Sequence, residues 1–133
     1  MKKIYLDIDG VLLTKKNIHA AQDVEQLINH LILNFDCYWL TTHCKGSTFY
    51  LLKMLSLYFS NPIIRQLEKV KPTTWNTLKT EAIDFTNDFY WLDDYVLESE
   101  RQILKQNKCE AKLILVNLDN KNELINILQI LQN

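Results

Sequence analysis

Glycine and proline are scarce in this chain of 133 residues, with only Gly10, Gly46, Pro62 and Pro72. Each is therefore expected to mark a place where the backbone needs it. Cysteine is also sparse. Cys37, Cys44 and Cys109 form no CxxC pair and no even-numbered framework, which argues against a disulfide scaffold or a zinc ribbon and points to a reducing compartment. No apolar run reaches the roughly 18 residues of a membrane-spanning helix. The start, MKKIYLDIDGVLL, has the basic lead and apolar content of a signal peptide. Asp7 and Asp9 interrupt it, and no small-residue cleavage site follows. The expectation is a cytoplasmic protein with no membrane role. Charge of one sign is missing too: 15 Lys and Arg face 16 Asp and Glu, so a strongly basic nucleic-acid binder is disfavoured. Neither GxxxxGK[ST] nor GxGxxG occurs, so a P-loop or dinucleotide site has no support.

What is present fits one domain over residues 1–133, with no repeat, linker or low-complexity tract. Residues 3–8 read as a short buried strand that Gly10 ends. Helical periodicity covers 19–33, through Val24, Leu27, Ile28, Leu31 and Ile32. Strands are expected at 36–41, 89–93 and 112–116. Further helices are expected from Gly46 to about Phe59, from Thr73 or Thr74 to about Ile83, and from Leu97 to Gln106. A terminal helix would be capped by Asp119 or Asn120, and residues 60–72 read as loop with at most a short strand at 62–65. Alternating strands and helices predict an α/β fold: a three-layer, Rossmann-like, mainly parallel sheet with helices on both faces. Ligands of such sheets bind at the carboxyl ends of strands.

Those ends carry unusual chemistry. Strand one runs into Asp7-Ile8-Asp9-Gly10, and alternation would put both carboxylates on one side. Two adjacent carboxylates repel unless a cation joins them, and a hard divalent ion such as Mg²⁺ is the usual partner. Strand two ends in Thr41-Thr42 and strand three in Asp93-Asp94, with Lys79 just before that strand. A purely structural sheet has no need to collect charge there. Residues 81–100 hold seven acids and no base, while 65–79 carry a net +3. Lys15, Lys16, Lys45 and Lys71 are candidates for a basic rim that would draw in a phosphorylated anion.

This order resembles the haloacid dehalogenase superfamily of phosphatases and phosphotransferases. Asp7-Ile8-Asp9-Gly10-Val11-Leu12 matches its first motif, Thr41 its second, Lys79 its third and Asp93-Asp94 its fourth, across residues 3–118. The first motif is specific in this position; the others gain weight from order and spacing. Trp91-Leu92-Asp93-Asp94 also looks like small stand-alone members, some related to RNA-repair domains. The resemblance implies a Mg²⁺-dependent phosphatase. Asp7 would attack phosphorus and form an aspartyl-phosphate, and Asp9 would protonate the leaving oxygen and then activate water. Mg²⁺ would be held by Asp7, the Asp9 backbone carbonyl and a carboxylate of the Asp93-Asp94 pair, with Asp94 the first choice. Thr41 and Lys79 would bind the phosphoryl group. Glu98, four residues past Asp94, falls where the family often has another acid.

Two departures stand out. Lys71-Pro72, 22 residues before Asp93, competes with Lys79, 14 before it, for the third motif. The gaps between motifs are also too short for a sizeable cap. Capless members tend to act on large substrates or to use another chain as a lid, so the phosphorylated substrate could be macromolecular. Two alternatives stay open: a catalytically silent binding module on the same fold, and a nucleic-acid end-processing phosphatase working with a partner. Other readings are weaker. A calcium loop starting at Asp7 would need an oxygen ligand where Val11 stands and a Glu where Ile18 stands. A receiver-type fold also uses acids, Thr and Lys, but its acid pair comes early in the order. His43-Cys44 lacks the third group that would orient a thiol nucleophile. His19, His30 and His43 lack zinc spacing. Trp39, Trp75 and Trp91, with Tyr38 and Tyr90, read as core.

Overall fold

Side-chain alternation on three strands gives the sheet two different faces, each with its own core. A computed structural model of the chain describes residues 1–44 and 46–133. Its strands are β1 (Lys3–Leu6), β2 (Asp36–Trp39), β3 (Phe89–Asp93) and β4 (Leu113–Leu115). They form one parallel sheet in the order β2-β1-β3-β4. The helices are α1 (Val24–Asn34), α2 (Phe49–Leu55), α3 (Asn61–Leu67), α4 (Glu98–Gln106) and α5 (Glu123–Gln132). Ile4, Leu6, Cys37, Trp39 and Leu92 point to one face, under α1, α2, α3 and α5. Tyr5, Leu40, Phe89 and Trp91 point to the other, under α4 and the segment from Trp75 to Ile83. This is the three-layer, Rossmann-like α/β arrangement expected from the alternation of elements.

The long connection between β2 and β3 supplies Leu51, Leu55, Phe59, Ile63 and Leu67 to the main core. It packs against the sheet rather than standing over it. No helix among the described residues is long and apolar enough to cross a membrane.

Several element boundaries differ from expectation, each for a local reason. The first helix begins at Val24, not at 19. Residues 10–21 instead fold back on themselves, with Leu13 bridging Ala20 and the Ala21 N–H donating to the Leu12 carbonyl at 2.9 Å. The second helix covers only Phe49–Leu55 of the stretch expected to run to Phe59. Residues 61–67, expected as loop or strand, are helix α3. Pro62 lies in its first turn, where a missing N–H costs no helical hydrogen bond. The expected helix over 73–83 is absent apart from a 3₁₀ turn at Lys79–Ala82. There the Glu81 carboxylate accepts the backbone N–H groups of Asn76, Thr77 and Leu78 at 2.8–3.1 Å, organising a loop in place of a helix. The last helix starts at Glu123, preceded by Asn122 in the left-handed region at φ 58°, so neither Asp119 nor Asn120 caps it. Glu123 reaches back to accept the Asn117 N–H at 2.6 Å, which pins the preceding loop.

Candidate active site

In the order β2-β1-β3-β4 the chain runs outward from β1 on both sides, so β1 and β3 meet at the switch point of the sheet. Asp7 follows β1 directly and Asp93 closes β3. Asp7 is tied to that neighbour by its backbone, its N–H donating to the Leu92 carbonyl at 3.0 Å. Carboxylate oxygens of Asp7, Asp93 and Asp94 lie within 4.8 Å of one another. Three carboxylates at that spacing need cations. One is supplied by Lys79. Its Nζ lies 2.7 Å from Asp93 Oδ2 and 3.6 Å from Asp7 Oδ1, with only 14% of the side chain exposed.

Lys79 is held by more than its charge. Its backbone N–H donates to Glu100 Oε2 at 2.7 Å, and Glu100 Oε1 accepts the Leu97 N–H at 2.9 Å. Glu100 is itself buried, so it joins the turn carrying Lys79 to the first turn of α4. Burial on its own would lower the Lys79 ammonium, but the charges of Asp7 and Asp93 outweigh it and raise it. It stays charged at every physiological pH.

The two members of the Asp93-Asp94 pair have different surroundings. Asp93 Oδ2 accepts Lys79 and the Trp91 indole N–H at 3.2 Å, while Oδ1 accepts the N–H groups of Asp94 and Tyr95. Both its oxygens are committed. Burial and the neighbouring Asp7 charge push the Asp93 carboxyl up, and Lys79 works against them. Among the described residues Asp94 Oδ2 pairs with Lys15, whose side chain is largely exposed, at 2.5 Å. Asp7 and Asp94, each engaged by a lysine, are thus less committed than Asp93 within a cluster that could hold a metal ion. Gly10 makes room for this: its φ is +80°, and a Cβ there would sit 2.6 Å from Asp94 Cγ.

Asp9 does not join the cluster with its side chain. The strand stops at Leu6, and the chain turns through Gly10 before alternation can carry Asp9 beside Asp7. Its carboxylate points toward the loop after β2, where Asp9 Oδ2 lies 2.7 Å from His43 Nε2. His43 was not singled out for this role from sequence. The only signal was its position two residues past Thr41, and contact with Asp9 depends on two loops meeting. Thr41 is fully buried at the end of β2, beside β1, and its Oγ1 accepts the His43 N–H at 3.3 Å. Cys44 turns the other way, into the core, with its Sγ donating to the Ser47 carbonyl, so no Cys–His pair forms.

Lys71 is far from this arrangement by topology. It pairs with Asp36 at 2.9 Å, at the opposite end of β2. Glu98 is exposed and accepts a hydrogen bond from Gln102 on its own helix. Of the expected basic rim, Lys15 and Lys16 line a cleft of about 580 Å³ that also includes Gly10 and Asp94. Lys71 does not, and Lys45 lies outside the described residues. Trp39 and Trp91 are core as read from sequence, and Trp75 is nearly so.

The strand ends thus hold a cluster of three carboxylates around the Lys79 ammonium, and beside it in the chain a carboxylate on an imidazole and a buried hydroxyl. Comparison with protein-family models and with curated proteins returns no match.

Proposed function

We propose that the protein is a Mg²⁺-dependent phosphomonoesterase of the haloacid dehalogenase type. The observation that carries this reading is the Lys79 ammonium set between Asp7 and Asp93, with Asp94 alongside, at the carboxyl ends of adjacent strands. An all-oxygen donor set in which Asp7 and Asp94 are held only by lysine ion pairs suits a hard divalent ion that can displace them. Asp7, Asp94 and the Asp9 backbone carbonyl would hold Mg²⁺, which would neutralise charge between the nucleophile and the phosphoryl oxygens.

In this mechanism an Asp7 carboxylate oxygen attacks phosphorus as the ester P–O bond breaks, giving an aspartyl-phosphate. The leaving oxygen takes its proton from Asp9, whose Oδ2 lies 2.7 Å from His43 Nε2. Asp9, now a carboxylate, takes a proton from water. That water attacks phosphorus and releases inorganic phosphate, restoring Asp7. Lys79 offsets the charge of the phosphoryl group in transit, and Thr41, whose oxygen already accepts the His43 N–H, keeps its own proton to donate.

The test is hydrolysis of an aryl phosphate with and without Mg²⁺, in the intact protein and in Asp7→Asn. Mg²⁺-dependent turnover that Asp7→Asn abolishes is the expected result. Turnover surviving Asp7→Asn removes the nucleophile assignment. Metal binding without any turnover favours a silent binding module on the same fold.

A further inference from the structure

The cleft beside Asp94 is not used by the mechanism above. It spans the end of β3, between the loop after β1 and the loop after β4. We infer that this cleft seats the leaving group of the phosphoester, and that the group is a small polyhydroxylated unit carrying a second anion, as in a sugar bisphosphate. The inference rests on the phosphomonoesterase reading and narrows its substrate.

Size and place come first. About 580 Å³ lies within the range of small-molecule sites. Asp94, on its wall, has a carboxylate oxygen within 4.8 Å of Asp7, so a phosphoryl group on Asp7 would sit at the mouth of the cleft.

Charge comes next. Lys15 is engaged with Asp94, but Lys16 is exposed and has no ion-pair partner among the described residues. Its turn is tied, since Thr14 Oγ1 donates to the Asn17 carbonyl at 3.2 Å and accepts the His19 N–H at 3.1 Å. An ammonium on a pinned turn binds an anion with less loss of backbone freedom than one on a loose loop.

The opposite wall offers Asn117 and Asp119, acceptors and donors suited to hydroxyl groups. Its loop is fixed by Glu123 on the Asn117 N–H and by Asn117 Oδ1 accepting the Asp119 N–H at 3.0 Å. Leu115, Val116 and Leu118 supply apolar surface for a carbon skeleton. Among the described residues no aromatic side chain or arginine lines the cleft, so a nucleobase would find no stacking platform there. That separates a sugar phosphate from a nucleotide or an oligonucleotide end.

The experiment uses the full chain with Mg²⁺ and the Asp7→Asn substitution to prevent turnover, titrated with fructose 1,6-bisphosphate and with fructose 6-phosphate and followed by backbone amide NMR. Expected are saturable shifts at 14–16 and 115–119, and a preference of about tenfold for the bisphosphate. Adding Lys16→Glu, an exposed substitution, should reduce that preference to near one. Shifts confined elsewhere, no saturable binding, or a preference indifferent to Lys16 overturn the inference. So does a 5′-phosphorylated oligonucleotide that displaces the bisphosphate from the same residues more tightly. The two failures are distinguishable. Aryl phosphate turnover without binding in the cleft removes only this inference, while a protein that hydrolyses no phosphoester loses the catalytic reading and, with it, the assignment of the cleft to a leaving group.

Discussion

Lys79 is the residue on which the site depends most, because it answers two buried carboxylates at once. If the proposed mechanism holds, Lys79→Met should lower kcat at least a hundredfold, since it removes the preorganised charge that mechanism assigns to the phosphoryl group. It should also destabilise the fold by about 3 kcal/mol, because Asp7 and Asp93 lose their neutralising partner. Steady-state kinetics and urea denaturation read the two effects separately. In the proposed mechanism His43 acts through Asp9 and does not itself meet the reacting atoms. His43→Ala should cut kcat about tenfold with KM little changed, and His43→Gln, which can still donate to Asp9, should recover part of the loss. An unchanged kcat in His43→Ala would remove His43 from the mechanism. Gly10 matters sterically. Gly10→Ala would strain the left-handed backbone and drive a methyl into the Asp94 carboxylate, so metal affinity measured by calorimetry should fall.

At the scale of elements, the site depends on a junction between α4 and the 3₁₀ turn carrying Lys79. Glu100 makes that junction by accepting two backbone N–H groups from different segments. Glu100→Ala leaves both donors without their acceptor, and a loss of about 2 kcal/mol is expected in equilibrium unfolding. Glu100→Gln keeps one acceptor oxygen and should lose less. Equal losses would mean that the carboxylate's charge matters more than its two hydrogen bonds. The turn is also where sequence periodicity misleads. The segment from Thr73 to Ile83 was expected as a helix, yet Glu81 satisfies three of its N–H groups from the side and only the 3₁₀ turn at Lys79–Ala82 forms. At 61–67 the error runs the other way. Pro62 suggests a loop, but in a first turn it suits a helix whose Ile63 and Leu67 face the core.

At the scale of the molecule, stability at low pH is tied to a charged corner joining β1 to the approach to β3. Thr86, through hydroxyl and backbone N–H, together with Lys3 and Asn87, holds the Asp84 carboxyl well below the usual carboxylate range. A carboxyl depressed in the folded state contributes stability above its unfolded pKa, near 4, and loses it as pH falls toward the folded value. Asp84→Asn should therefore flatten the decline in stability below about pH 4 and leave the difference largest at neutral pH, as followed by thermal unfolding across pH. Cys37 should be unreactive as well. Burial pushes the Cys37 thiol up to about 12, so alkylation of Cys37 at pH 8 should proceed only through unfolding.

The sequence by itself determined the layers and the strand tips. Period-two apolar runs can only bury both faces of a parallel sheet under helices, and Asp7, Thr41 and Asp93 follow those runs directly. It also offered the reacting groups without choosing among them. Lys71 and Lys79 are both plausible by spacing, and only the packing of the β2–β3 connection sends Lys71 to Asp36 and Lys79 to Asp93. Asp93 and Asp94 are neighbours in sequence, but the indole of Trp91 and two backbone N–H groups commit one, while the other pairs with Lys15. The His43–Asp9 contact had only the position of His43 after Thr41 to suggest it, and the cleft at the end of β3 had no local signal. Periodicity reports which side of an element is buried, and it reaches as far as the element does. Which loop meets which depends on strand order and on hydrogen bonds between residues far apart in the chain, so those contacts were decided only when the chain had folded.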